Sequence, residues 1–455
     1  MSSRLKKKGA SHLHHRICMI SDFFYPNMGG VETHIWCLAM TLIERGHKVT
    51  VVTHSHQDRT GVRYMTNGLK VYYLPRTVVY DQVTFPVTLS LFPLLRDILI
   101  RERVNIVHGH QSTSPLAHQG IVLARTMGLH ACFTDHSLFG FDEVPGIHLN
   151  KVLQFTLSDI DSVICVSNTC RENLVLRASL HPSLVSTIPN AVDPTKFTPD
   201  PSRRSPTKTI NIVMLSRLVY RKGIDLAVKV IPILCEAFPA VYFIIGGDGP
   251  KKLQLEEMRE RHSLHHRVEL LGAVPHHEVR DVLVRGHIFL NCSLTESFCI
   301  ALLEAASCGL FVVSCRVGGV PEVLPQSMIK FADPTVEDLV IALSEGISTS
   351  RRVIPNEMHN RVMLMYSWVD VGRRTEVIYN RISKEPIPSL GTRFDKYLSM
   401  GPWSGRAALA VIAFLHIVWV ALEYFLPAKD IEICPDYSAS LRRQSSSSSS
   451  GPGSP

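Results

Sequence analysis

The chain has 455 residues, of which 45% are hydrophobic and 19% charged. That is enough apolar material for two or three packed domains, and it excludes a chain disordered in bulk. Its 48 Lys and Arg against 40 Asp and Glu give a formal charge of +8, a dispersed excess that suits an anionic small molecule or lipid surface and not a nucleic acid.

Residues 1–16 read as a flexible N-terminus, with Lys6-Lys7-Lys8 as a solvated run. The first apolar run, Ile17 to Ser21, is too short for a secretory signal, so the catalytic bulk is expected in the cytosol. The 11 cysteines include no CxxC pair. Cys165, Cys235 and Cys315 lie in apolar runs and read as reduced core residues.

From 17 to 193, short apolar runs alternate with helical patterns. Strands are expected at Ile17–Ser21, Lys48–Thr53, Leu69–Leu74, Asn105–His108, His130–Thr134, Ser162–Val166 and Val185–Ile188. Val31, Ile35, Leu38, Ala39, Leu42 and Ile43 recur at helical spacing, and 89–103, 114–127 and 168–178 are also helical. Strands separated by helices imply parallel, right-handed βαβ units. Pro194, Pro199, Pro201 and Pro206 mark a linker over 194–209.

The same grammar restarts over 210–383. Strands are expected at Ile210–Leu215, Val241–Ile245, Val268–Leu271, His287–Leu290 and Leu310–Ser314, with a helix at Ile224–Phe238. Two doubly wound domains bind their ligand at carboxyl strand ends, in the cleft between them. Residues 407–426 are nearly all apolar and, at about 30 Å as a helix, match a bilayer core. His416 and Glu423 interrupt that run, Trp403, Trp419 and Tyr424 lie towards its ends, and Arg393, Lys396 and Arg406 precede it. Asp430, Glu432 and Asp436 follow, so the basic side predicts cytosolic lobes and a lumenal, low-complexity tail over 427–455.

Three constellations carry the chemistry. Glu296 and Glu304 bracket a helix start after the strand His287–Leu290. Free amides from Ser297 to Ile300 there favour an anion, Glu296 faces neutral hydroxyls, and Glu304 faces a ribose. Two carboxylates also fit a glycosidase, although that reading leaves the neighbouring cations unexplained. Arg217 and Lys222 occupy the turn after the strand Ile210–Leu215, where a guanidinium fork and an ammonium suit a diphosphate. In the first half, Gly29-Gly30-Val31-Glu32 joins strand to helix, and Thr134-Asp135-His136-Ser137 ends a strand on the same side. The glycines allow close backbone approach, and His136 suits a reacting sugar hydroxyl. No GxGxxG fingerprint is present, which counts against NAD.

Together with Ile188-Pro-Asn-Ala-Val-Asp193, Gly246 to Pro250 and Val317-Gly-Gly-Val-Pro-Glu322, these motifs resemble the family 4 retaining glycosyltransferases of the GT-B fold over residues 17–383. The phrases SDFFYPNMGGVE, FTDHSLFGF, IPNAVDPTKFTPDP and SRLVYRKGID are similar to the catalytic subunits that place N-acetylglucosamine on phosphatidylinositol. The resemblance implies an α/β chain with two Rossmann-like lobes facing a cleft, plus one C-terminal transmembrane helix. It implies UDP-N-acetylglucosamine as donor and the inositol 6-hydroxyl of phosphatidylinositol as acceptor. It also implies partner subunits in the endoplasmic reticulum membrane, no metal and no other cofactor. The catalytic set is then Glu296, Arg217, Lys222 and His136, with Gly29, Gly30, Phe298, Cys299, Ile300 and Glu304 binding substrate. Two rivals share the clamp: a mannosyltransferase using GDP-mannose, and an inactive nucleotide-binding scaffold.

Overall fold

A computed structural model describes residues 13–140, 144–204 and 209–436. The Lys6–Lys8 run and the serine tail lie outside the described residues. The first lobe is built on β1 (Arg16–Ile20), β2 (Lys48–His54), β3 (Gly61–Tyr64), β4 (Lys70–Leu74), the hairpin β5 (Val78–Tyr80) and β6 (Val83–Thr84), β7 (Ile106–His110), β8 (His130–Asp135), β9 (Ser162–Cys165) and β10 (Val185–Thr187). Its main sheet runs in the order β10-β9-β8-β7-β1-β2-β4-β3. Only the edge pair β3–β4 is antiparallel there. Helices α1 (Gly30–Glu44), α2 (Thr88–Arg101), α3 (Pro115–Thr126), α4 (Val144–Leu157) and α5 (Asn168–Ala178) cover it. Ile17, Cys18, Met19 and Ile20 are all buried, as a central parallel strand covered on both faces requires.

The second lobe repeats the plan. Its strands β11 (Ile210–Leu215), β12 (Val241–Gly246), β13 (Val268–Gly272), β14 (Ile288–Asn291), β15 (Phe311–Cys315) and β16 (Ile329–Ala332) form one sheet in the order β13-β12-β11-β14-β15-β16. Every ladder in it is parallel. Helices α6 (Ile224–Ala237), α7 (Lys252–Arg261), α8 (Val279–Leu283), α9 (Ile300–Ser307), α10 (Val336–Ser350) and α11 (Pro355–Met365) accompany it. The expected strands are all present, and the sequence missed β3, β5, β6, β16, α4, α10 and α11. All 11 cysteines are free, and Cys165, Cys235 and Cys315 are buried.

Two boundaries differ from the expected ones. Much of the Pro-rich stretch is seated on the second lobe: Phe197 joins its core, Arg280 donates to the Thr198 carbonyl and Arg204 to that of Gly309. The expected second domain also gives up its last helix. Helix α12 (Trp368–Ile382) returns to the first lobe, where Val371, Ile378, Tyr379 and Ile382 enter the β1–β2 core. Tyr379 meets His108 Nδ1 at 2.6 Å, and Glu376 pairs with Arg45. The expected bounds of 210–383 give this segment to the second lobe, because order along the chain does not say which lobe buries a helix's apolar face.

The chain then continues through α13 (Leu390–Leu398) and α14 (Ser404–Phe425). At 22 residues and a mean hydropathy of 2.0, α14 is long and apolar enough to cross a membrane. One of its faces, with Ala408, Ile412 and Leu415, is buried in the core that α2 and α3 share, with Leu91, Phe92 and Leu95 of α2 and Leu116 and Leu123 of α3. Glu423, which breaks the apolar run, pairs with the buried Arg96 at 2.6 Å. Arg393 and Lys396, read as membrane-side cations, both bind the buried Asp159. After α14 the chain lies on the first lobe. Cys434 N–H donates to the Arg101 carbonyl at 2.9 Å, and Asp436 pairs with Arg16, Lys48 and Arg103. These contacts put residues 427–436 beside the catalytic lobes, at odds with the expected lumenal placement. Of the acidic residues that suggested a far side, Asp436 and Glu432 bind the lobe's own cations.

Candidate active site

The second lobe supplies the cationic side. Strand β11 ends at Leu215 and the chain turns through Arg217 to Lys222. Gly223 then sits at φ 69°, and a Cβ there would lie 1.8 Å from the Cys292 carbonyl oxygen. Only glycine fits that approach, so the turn is pinned onto the end of β14. Lys222 is held by Glu296, whose same oxygen also accepts from Ser293 Oγ at 2.7 Å. Burial pulls the Lys222 ammonium down, but the Glu296 carboxylate outweighs it and leaves it above the ordinary lysine value. The two groups assigned to different parts of a donor are thus paired with each other. Arg217 is 73% exposed and reaches Asp81 of the first lobe at 3.4 Å. Arg221 is exposed but stacks over Phe139 across the cleft.

Helix α9 starts after Cys299, which is held at φ 71°. Its first turn has no side-chain cap, so its leading amides remain for an anion. Phe298 is only 2% exposed and packs edge-on against Tyr366, so its ring is core and only its backbone can meet a ligand. Burial pushes the Cys299 thiol up, making it a poor nucleophile. Glu304 lies along α9 and is half-buried. Its carboxylate has no hydrogen-bond partner among the described residues, and burial raises it from 4.5 to about 7. Its charge therefore opposes folding. The stability associated with its proton is complete below pH 4.5 and is lost as pH rises through about 7. Glu304→Gln should accordingly gain about 1 kcal/mol at pH 8 without nucleotide, read by thermal melts, while losing about tenfold in UDP affinity. A melt that shifts equally at pH 5 and pH 8 would reject this role.

The first lobe supplies the opposite wall. Gly29 and Gly30 are exposed at the start of α1. A Cβ on Gly30 would come within 3.8 Å of Ile300 Cδ1, which places the glycine turn directly against the α9 start. Gly29 crowds Glu32, where a Cβ would lie 2.5 Å from the carboxylate. His136 follows β8 and belongs to a histidine cluster that sequence reasoning missed. Its ring meets that of His34 at 4.5 Å and that of His110 at 5.7 Å. Burial drives His34 down to about 4, and His110 and His136 well below the ordinary value, so all three are neutral at pH 7. His34 Nδ1 meets Asn190 Oδ1 at 2.7 Å. One nitrogen from each of these three histidines lies within 4.8 Å of the others, a donor set able to take a transition metal ion. The alternating His108-Gly-His110 at a strand end was the signal available in the sequence.

The lobes meet across this space. Ser297 Oγ donates to the His136 carbonyl, and Glu322 accepts from Asn168 N–H at 2.7 Å and Thr169 N–H at 2.9 Å, at the start of α5. A Cβ on Gly318 or Gly319 would strike the backbone of Glu296 or Ser297 at 2.1 Å. The glycine pair is therefore a packing requirement beneath the α9 turn. Arg217, Lys222, Glu296, the Ser297–Ile300 turn and Glu304 share one wall, with His136 and Gly30 opposite. A separate cavity of about 440 Å3 opens beside the loop that leads to Gly29, lined by Pro26, Asn27, His56, Gln57, Asp58, Arg59 and Arg63.

Residues 54–143 match the family model PIGA (GPI anchor biosynthesis), and residues 197–348 match glycosyl transferases group 1. The chain is 55% identical over 421 residues to a phosphatidylinositol N-acetylglucosaminyltransferase subunit from Arabidopsis thaliana, covering 92% of this chain and 94% of that protein. It is 53% identical to the Homo sapiens protein of that name, covering 93% and 88%. The chain belongs to the PIGA family of phosphatidylinositol N-acetylglucosaminyltransferase subunits. It is a glycosyltransferase of GPI anchor biosynthesis. Among solved structures, sucrose-phosphate synthase of Thermosynechococcus elongatus superposes with a TM-score of 0.69 at 17% identity, covering 81% of this chain and 99% of that one. Anabaena HepE in complex with UDP and glucose superposes at 0.64 and 17%, covering 82% and 100%. Those likenesses show the two-lobed GT-B fold.

Proposed function

We propose that the chain transfers N-acetylglucosamine from UDP-N-acetylglucosamine to the inositol of phosphatidylinositol, with retention at the anomeric carbon, as the first step of anchor synthesis. The observation that carries this reading is the convergence of Arg217, Lys222 and the uncapped α9 start on one wall of the cleft, in a chain whose relatives carry that transferase name over most of its length. UDP lies along the second lobe with its ribose at Glu304. Its diphosphate replaces Asp81 on Arg217 and Glu296 on Lys222. Glu296 is thereby released to the sugar hydroxyls, with the backbone of Phe298 and Cys299 beside it. The cations and the Ser297–Ile300 amides stabilise the departing UDP as its charge develops. No metal or other cofactor takes part in this reading. Neutral His136 lines the sugar side and accepts or donates without carrying charge. Closed lobes exclude water that would hydrolyse the donor. In this reading retention follows from same-face attack, a donor phosphate oxygen taking the acceptor proton.

The 440 Å3 cavity carries Arg59 and Arg63 on the acceptor side, a charge pattern suited to the phosphodiester of phosphatidylinositol. That the relatives are named as subunits supports an assembly with partner subunits; in this reading the chain works at the endoplasmic reticulum membrane with its lobes cytosolic. The test is an assay of membranes co-expressing the partners, comparing labelled UDP-N-acetylglucosamine, UDP-glucose and GDP-mannose. Label from UDP-N-acetylglucosamine alone should enter phosphatidylinositol. Preferred transfer from GDP-mannose, or no transfer from any donor, overturns the assignment.

A further inference from the structure

The hairpin β5–β6 has a role that the donor site does not explain. It turns through Asp81 at φ 38° and Gln82 at φ 71°, the two-residue left-handed turn that suits a tight hairpin. Its base is tied inward: Thr84 N–H donates to the buried Asp22 at 3.2 Å. Its tip crosses to the working parts of the site. Gln82 donates to Glu32 of the Gly-Gly-Val-Glu turn at 3.0 Å, and Asp81 meets Arg217 of the other lobe at 3.4 Å. Its flanks are apolar and bare: Val79 is 64% exposed, Tyr80 77%, Phe85 58% and Leu89 53%. Isolated exposed apolar residues need no explanation, but a run of them spanning a hairpin and the next helix start marks a contact surface.

We propose that residues 78–89 form a bilayer-contacting edge and that Asp81 at its tip competes with the donor diphosphate for Arg217. The choice of a bilayer as occupant rests on the lipid-acceptor reading above and on continuity with α14. Helix α2, which begins at Thr88 directly after the hairpin, is tied to the end of α14 by Arg96, which holds Glu423 and the Leu426 carbonyl. The outer face of α14 exposes Phe414, Ile417, Val420 and Phe425. One side of the first lobe thus presents an apolar helix and an apolar hairpin joined by α2. A hairpin drawn into the acyl region would carry Asp81 with it, leaving Arg217 to the donor where the lipid acceptor is found.

Two measurements on the full chain with its partners test this. Tyr80→Trp, reconstituted in phosphatidylcholine–phosphatidylinositol vesicles with brominated acyl chains, should show emission quenched beyond that of the wild type. Asp81→Asn, held in lipid-free amphipol, should bind UDP about two- to fivefold more tightly, the range exposed ion pairs give. Quenching of the introduced indole by aqueous iodide instead of by the lipid, its protection from both quenchers by a partner protein, or unchanged or weaker UDP binding by Asp81→Asn each overturns the proposal. Neither readout needs transfer to phosphatidylinositol. A wild-type enzyme that transfers to a different acceptor would therefore overturn the functional reading separately.

Discussion

Lys222→Ala should lower turnover by about a hundredfold or more, the scale on which preorganised charge stabilisation acts. The side chain is 24% exposed and paired with a carboxylate that is itself only 12% exposed. Removing it deletes a cation from the leaving-group wall and leaves Glu296 as an unopposed negative charge facing a diphosphate. A merely structural role would predict something else, namely that neutralising the orphaned carboxylate restores activity. The double variant Lys222→Ala with Glu296→Gln separates the two. If Lys222 acts on the diphosphate, the second change rescues stability without rescuing turnover, and the coupling measured by the cycle appears in melting temperature only. Recovery of kcat in the double variant would reduce Lys222 to a partner of Glu296. Because the pair is partly buried, the single variant should also melt lower, so expression and UDP-induced stabilisation must be measured beside turnover.

That pairing also shows what the sequence could and could not convey. Strand ends and helix starts were legible because apolar runs of the right length, punctuated by glycine, leave few alternatives for a parallel sheet. Placing Arg217, Lys222, Glu296 and Glu304 at one carboxyl edge follows from that topology. The state of those groups does not, since Lys222 and Glu296 are 74 residues apart and nothing local encodes their bond. The cluster of His34, His110 and His136 was hidden for the same reason: each sits on a different element and is unremarkable alone. Strand β3, GVRY, escaped because all four residues are exposed and an edge strand needs no alternating pattern. Helix α4 escaped because Pro145 and Gly146 open it; proline is tolerated in a first turn yet reads as a breaker. The family resemblance supplied the motifs, whereas the geometry shows which of their side chains turn away from the cleft. Phe298 is the clearest case, a motif residue whose side chain belongs to the core.

Deleting residues 404–455 should destabilise the first lobe and not simply release a soluble enzyme. Composition alone treats 407–426 as a detachable anchor, and truncation then predicts a well-folded, membrane-free catalytic part. The packing argues otherwise. Ile412 and Leu415 are nearly fully buried in the core that α2 and α3 share, and each such side chain contributes about 1.5–3 kcal/mol. Arg96, 1% exposed, would lose the Glu423 carboxylate and the Leu426 carbonyl together and keep only the partly exposed Asp97 at 3.5 Å, and breaking a buried pair by removing one partner costs about 3–5 kcal/mol. Those losses are comparable with the whole stability of an ordinary domain, about 5–15 kcal/mol. The truncated chain should therefore aggregate on detergent extraction and show rapid hydrogen exchange in α2 and α3. Arg96→Met in the same truncation should recover part of the loss, because it removes the stranded charge while keeping the apolar contact. A truncated chain that is monomeric, melts like the full-length protein and still binds UDP would show that α14 is an independent anchor whose seat on α2 and α3 carries no weight.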